Sequence, residues 1–250
     1  SRIFGDGFSG ITIGNSTAGA ITVGGASTFT DSVSLVSGGN ITVATGKAVT
    51  VGSGGRATLY AGSVSGSTGL TAMVGSGSGR FRYASDELTT GYLSPLDEGV
   101  YAVYRQQPML ILKGVNETVV YGTEPFLDVG ATGMQNGDTV AQSMGKLPTV
   151  TLLNNGNAAA RNASGYYDVL RSGSAVVGYD MALSTDAVSK LGYALSYDQT
   201  GATTVTPKAL TAVINDDAKF VGLADNAGYA GATFNGFVRG ESVANISATS

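Results

Sequence analysis

Ile11-Thr12-Ile13, Ile21-Thr22-Val23, Val33-Ser34-Leu35, Ile41-Thr42-Val43, Val49-Thr50-Val51 and Ala57-Thr58-Leu59 repeat one phrase: apolar, hydroxyl, apolar. In an extended chain residues i and i+2 share a face, so each triplet points two aliphatic side chains one way and one hydroxyl the other. Turn clusters such as Ser37-Gly38-Gly39-Asn40 and Gly52-Ser53-Gly54-Gly55 separate most of them. The triplets start 10, 12, 8, 8 and 8 residues apart, a spacing that suits the short faces of a β-helix turning at glycines. Stacked rungs would bury an aliphatic ladder, at about 0.8 kcal/mol per buried CH₂. A β-sandwich of short hairpins is the alternative for the same pattern. Charge marks residues 1–79 as a separate unit, for only Arg2, Asp6, Asp31, Lys47 and Arg56 are charged there.

Composition changes at residue 80. Arg80-Phe81-Arg82-Tyr83 brings charge and aromatics together, the first proline is Pro95, and Tyr92, Tyr101 and Tyr104 follow. The end of a β-helix exposes unpaired backbone and apolar core, so residues 80–108 are expected to cap it and connect it onward. An aromatic–basic cluster could instead form a stacking platform for sugar or nucleic acid. The interleaved Asp86-Glu87 and Asp97-Glu98 favour the cap.

The remainder holds a duplication. Val115-Asn116-Glu117 through Val120-Tyr121-Gly122 to Gly133–Ala141 returns as Ile214-Asn215-Asp216 through Phe220-Val221-Gly222 to Gly236–Ala244. Gly122 and Gly222 lie 100 residues apart, Gly137 and Gly240 lie 103 apart, and Pro108 and Pro207 each precede an apolar run. A repeat of this length is a small domain rather than a solenoid rung. The expected units are therefore a first module at 109–207 and the start of a second at 208–250, whose order in isolation is doubtful without its closing strands.

Within the first module, Asp138 is expected to cap a short helix running to Met144 and closed by Gly145. Strands are expected at 148–153 and 166–170. Tyr193–Tyr197 and Thr203–Thr206 are expected to form a closing pair around a turn at Asp198–Gly201.

Bulk composition narrows the chemistry. The 250 residues include 38 glycines and carry a net charge of −4, with no histidine, cysteine or tryptophan. That excludes disulfides, thiolate metal sites and a histidine base. A mildly acidic chain has no electrostatic footprint for nucleic acid. No apolar run approaches the roughly 18–20 residues of a membrane span. Starting at Ser1 with no signal peptide, the chain reads as a piece of something longer.

The Gly-rich triplets, the connector Gly79–Glu87 running to Tyr101–Pro108, and the repeat together resemble large haemagglutinin-like adhesins exported by two-partner secretion. The triplets look like the right-handed parallel β-helix of that family. The repeat resembles its MBG-type domain at Val120-Tyr121-Gly122, Gly133–Thr139, Gly192-Tyr193 to Tyr197, and Val205-Thr206-Pro207. The second copy departs from it at Phe220-Val221-Gly222 and Arg239-Gly240-Glu241. The resemblance implies a mainly β chain, a β-helix end followed by small β-rich, β-grasp-like α+β repeat domains. It implies secretion to the surface of a Gram-negative bacterium through an outer-membrane transporter, and a stalk that serves attachment and biofilm. The implied partners are exopolysaccharide or host-surface glycans, and the alternative function is a carbohydrate-binding module.

Catalytic motifs are missing. There is no Gly-x-Ser-x-Gly elbow, and Gly46-Lys47-Ala48 and Gly145-Lys146-Leu147 lack the Ser/Thr of a phosphate loop. Asp6 and Asp31 are too few carboxylates for a β-helix lyase or glycosidase. Asp216-Asp217 as a calcium site and Arg239-Gly240-Glu241 as a recognition tripeptide both read more simply as turns. Sequons occur at Asn15, Asn40, Asn116, Asn162 and Asn245. No catalytic, metal, cofactor-binding or ligand-binding residue is assigned, and the chain is expected to be non-enzymatic.

Overall fold

The computed structural model describes residues 10–216, 221–222 and 231–245. The chain is mainly β with few helices. It divides into two compact units. The first takes residues 1–113, 129–149 and 183–198, and the second takes 114–128, 150–182 and 199–250. Residues 109–207, a single module by sequence, thus contribute to both.

In the first unit the triplets become strands stacked in parallel. Ile11–Gly14, Val33–Val36, Arg56–Ala61 and Gly99–Tyr104 lie side by side in that order, and Phe81–Arg82 forms the edge beyond Gly99–Tyr104. Ile21–Val23 pairs with Ile41–Val43 and Ser27–Phe29 with Val49–Val51, again in parallel. The register of Ile21–Val23 on Ile41–Val43 pairs like with like: Ile21 with Ile41, Thr22 with Thr42, Val23 with Val43. Partner residues lie 20 to 24 positions apart in the pairs from Ile11–Gly14 to Arg56–Ala61 (Ile21 with Ile41, Val33 with Ala57), and 43 apart between Arg56–Ala61 and Gly99–Tyr104.

The faces of the middle triplets separate as the two-residue period requires, whereas Thr58 is buried and Ile13 exposed. Val33, Leu35, Ile41, Val43, Val49, Ala57 and Leu59 are buried, while Thr42 and Thr50 are exposed. The Thr28 and Thr50 hydroxyls meet at 2.9 Å across neighbouring strands.

Segment 80–108 adds two strands and several buried side chains to this unit. Phe81, Tyr83, Ala102, Val103 and Tyr104 are fully buried and Tyr101 nearly so. The first unit also holds a sheet in which Met109–Gly114 lies between Val129–Thr132 and Ala194–Asp198.

The second unit is built on a sheet ordered Glu117–Val120, Ala202–Thr206, Ala175–Leu183, Val150–Asn154, Asn157–Ala158. Its core is Val119, Leu152, Tyr179, Met181 and Val205. Asn155 and Gly156, at φ 49° and 77°, form the left-handed pair that a two-residue hairpin between Val150–Asn154 and Asn157–Ala158 requires.

Three local expectations change. Tyr193–Tyr197 and Thr203–Thr206 do not pair with each other. Ala194–Asp198 runs parallel to Met109–Lys113, and Ala202–Thr206 joins Glu117–Val120 in parallel and Ala175–Leu183 antiparallel. A turn signal between two alternating runs cannot weigh a local partner against one 85 residues away. Residues 166–169 are not a strand, because Asn162 Oδ1 accepts the Ser164 and Tyr166 amides and holds them in a loop; the strand begins at Leu170. The short helix is Val140–Ser143, and its cap is Thr139 rather than Asp138.

The duplication has a structural counterpart. In the first copy the Val115 amide donates to the Asp128 carbonyl at 2.9 Å; in the second the Asn215 amide donates to the Gly231 carbonyl at 3.0 Å, so the structure matches Val115 with Asn215, one position beyond the Ile214 of the sequence alignment. Thr211–Ile214 pairs with Ala232–Asn235. Gly133 and Gly236 share positive φ, and a Cβ on either would strike a carbonyl, that of Met109 at 2.3 Å or Ala209 at 2.7 Å. Arg2, Asp6, Asp217 and Phe220 lie outside the described residues.

Candidate functional site

The most concentrated chemistry in the first unit is a buried carboxylate between tyrosines. The turn Gln135–Asp138 places Asn136 and Gly137 at φ 53° and 76° and closes with the Asp138 amide donating to the Gln135 carbonyl at 2.9 Å. Asparagine and glycine are the residues that tolerate this left-handed pair. The turn aims Asp138 inward, where Oδ2 accepts the Tyr83 hydroxyl at 2.7 Å and the Tyr193 hydroxyl at 2.8 Å. Each tyrosyl oxygen also accepts a bond, Tyr83 from Asn136 Nδ2 at 3.0 Å and Tyr193 from the Gln135 amide at 2.9 Å. Tyr83 stacks on Tyr104 at 5.8 Å and meets Tyr193 at 4.4 Å.

Burial dominates the electrostatics. It holds the Asp138 carboxyl above the usual carboxylate range, although the two hydroxyls and Arg82 pull it back. Burial likewise pushes the Tyr83, Tyr104 and Tyr193 hydroxyls up, and Tyr83 and Tyr193 donate theirs to Asp138. Asp138 Oδ1 has no hydrogen-bond partner. The group is saturated on one oxygen and enclosed: it is 5% exposed and has no open face for a substrate.

The same turn is tied to the Gly-Ser stretch 75–79. The Gly77 amide donates to the Asn136 carbonyl at 2.9 Å, Gln142 Nε2 donates to the Gly77 carbonyl at 2.7 Å, and the Thr71 hydroxyl donates to Asn136 Oδ1 at 2.5 Å. Thr139 caps the helix through a reciprocal box with Gln142. The Thr-x-x-Gln signature at 139–142 carries that cap in the sequence.

The aromatic–basic cluster is not a platform. Arg82 is buried and gives its guanidinium to the carbonyls of Gly79, Phe81, Ser94 and Pro95, at 2.8 to 3.0 Å. Its charge also lies over the Tyr101 and Tyr92 rings, at 5.3 and 5.5 Å. With Tyr83, Tyr101 and Tyr104 inside, no stacking surface is presented there.

The second unit has its own polar–aromatic group. Asn162 Nδ2 donates to the Tyr121 hydroxyl and to Asp168 Oδ1, both at 2.7 Å. Arg161 forms a two-pronged ion pair with Glu124 and lies 4.6 Å over the Tyr167 ring. The Tyr121 hydroxyl, donating to Glu241, is pushed up to about 12, chiefly by desolvation.

The sequon side chains at Asn40, Asn116 and Asn162 are engaged as acceptors of backbone amides, those of Ser63, Ala202 and Ser164. None of the eleven tyrosines among the described residues is fully exposed. Among the described residues no group of three or more acidic side chains could hold a metal ion, and no helix is long and apolar enough to cross a membrane. No protein-family model, curated protein or solved structure matches this chain.

Proposed function

We propose that this chain is a non-enzymatic length of a secreted bacterial surface adhesin of the haemagglutinin-like, two-partner-secretion type. It acts as a stalk in attachment and biofilm. In this reading residues 1–79 are the end of a right-handed parallel β-helix, 80–108 its cap, and 109–207 and 208–250 a complete and a partial MBG-type, β-grasp-like module. The protein passes through an outer-membrane transporter and stands at the cell surface of a Gram-negative bacterium.

The observation that carries this reading is the duplication. The features that recur are backbone ones: the same amide–carbonyl bond, the same glycines at positive φ and the same strand pair. A repeated scaffold is what a spacer needs, since tandem units add reach, and weak contacts at their ends add through effective concentration. The stacked, in-register strands of the first unit bury aliphatic side chains of their own.

The test is capture under flow. The 250-residue chain is displayed on a cell between an anchor and a well-behaved binding domain, beside a Gly/Ser linker of equal length. The stalk reading expects more bead capture than the linker supports; equal capture would count against it.

A carbohydrate-binding module is the second reading, favoured by the Arg161–Asp168 loop, where half-buried Tyr166 and Tyr167 sit among Asn and Arg side chains. Exopolysaccharide or host-surface glycans would be its ligands.

A further inference from the structure

The geometry points to a joint that the duplicated module uses twice: its acidic turn plugs into the segment that precedes the module and takes a tyrosyl hydroxyl from it. In the first copy the turn is Gln135–Asp138, and the preceding segment supplies Gly77 and Tyr83. In the second copy the turn is Val238–Glu241, with the Glu241 amide donating to the Val238 carbonyl at 3.1 Å and Gly240 at φ 82°. There the first copy supplies the partner, for the Tyr121 hydroxyl donates to Glu241 Oε1. Val238, buried, packs over Gly122 so closely that a Cβ on that glycine would lie 2.2 Å from Val238 Cγ1.

The chain contains its own comparison for this contact. Gly222 is the repeat counterpart of Gly122 and has the same backbone conformation, φ 90° against 89°. Yet among the described residues a Cβ on Gly222 would meet nothing within 4 Å, and the neighbouring Val221 is exposed. Among the described residues the turn of the second copy is therefore what covers Gly122, while the matching backbone at 221–222 is open. The side chains fit the roles in both copies: the acid beyond the turn glycine accepts, and a tyrosine from the earlier segment, Tyr83 or Tyr121, donates. Both acceptors are carboxylates, Asp138 and Glu241, although the turns differ at the preceding residue, Asn136 against Arg239. The shared element is thus the glycine–acid pair.

This joint makes the second copy's order depend on the first, whatever the parent protein does, so it stands independently of the stalk reading. The test is amide exchange in the full 250-residue chain. Asn215, whose amide bonds the Gly231 carbonyl, reports on the second copy, and Met181, bonded to the Gly201 carbonyl, on the first. Glu241→Ala and Tyr121→Phe should each accelerate Asn215 exchange about tenfold or more, the loss expected for one charge-assisted hydrogen bond. Met181 should remain within about twofold. The double variant should be no faster than Tyr121→Phe alone, because that variant already removes the bond to Glu241 together with the one from Asn162 Nδ2. Glu241→Gln, which keeps an acceptor, should restore most of the protection. Unchanged Asn215 exchange in both single variants, additive losses in the double variant, or equal acceleration at Met181 would each overturn the proposal. Tyr121→Phe keeps the ring against Tyr166, 6.2 Å away, so a folding failure of one variant leaves the others to decide.

Discussion

Replacing Asp138 by alanine should be among the most damaging single changes outside the stacked strands. The substitution removes one oxygen that serves two buried tyrosyl hydroxyls, at 2.7 and 2.8 Å. A buried donor left without an acceptor costs about 1–3 kcal/mol, so two would cost about 2–6. Relief of the buried carboxylate's own desolvation offsets part of this, leaving a net loss of about 2–4 kcal/mol at pH 7. Asp138→Asn keeps an acceptor for both hydroxyls and removes the charge, and should lose less than about 1.5 kcal/mol.

The two variants also separate by pH. Burial raises the folded-state pKa of Asp138 above its unfolded value. Its favourable contribution is therefore complete below the unfolded value and lost as pH rises through the folded one. Glu124, Asp86 and Asp186 shift the other way, through hydrogen bonds from Arg161, Thr89 and Lys146 respectively, and their contributions fade as pH falls. The comparison must therefore be made between proteins sharing those groups. Measured by urea unfolding, the stability of the natural protein relative to Asp138→Asn should increase as pH is lowered from 7 towards 4. A loss below 0.5 kcal/mol for Asp138→Ala, or a difference between the natural protein and Asp138→Asn that is flat with pH, would refute the reasoning.

Other outcomes follow from the packing. Leu59, fully buried and stacked between Leu35 and Ala102, should cost about 2–5 kcal/mol on truncation to alanine, read from the same urea transitions. Gly192→Ala should destabilise strongly, because the residue sits at φ 99° and a Cβ would lie 2.2 Å from the Tyr83 carbonyl oxygen. Gly156→Ala, at φ 77° with open space around it, should cost only the left-handed strain of about 1–2 kcal/mol. A Gly192→Ala protein as stable as Gly156→Ala would mean that the close approach to Tyr83 is wrong.

What could be read in advance depended on how local the cause was. The triplets at 21–23 and 41–43 are the same three residues and pair in register, so their period carried both strand type and facing. The turn glycines at 122 and 222 announced the duplication, and both have positive φ. Asp138 was misassigned because its partners, Tyr83 and Tyr193, each lie 55 residues away, and nothing local names them. Thr139 and Gln142, three apart, carried the true cap in plain view. The parallel placement of Ala194–Asp198 and Ala202–Thr206 was hidden for the same reason as Asp138, since a strand's alternation fixes its faces but not its neighbour.

The central claim, a spacer that carries no ligand site of its own, is tested most directly by a glycan array probed with the whole 250-residue chain, with polysaccharide turnover followed in parallel. The account predicts neither retention nor turnover, with or without calcium. Robust retention that is lost on replacing Arg161 and Tyr166 would contradict it and establish the carbohydrate-binding reading instead.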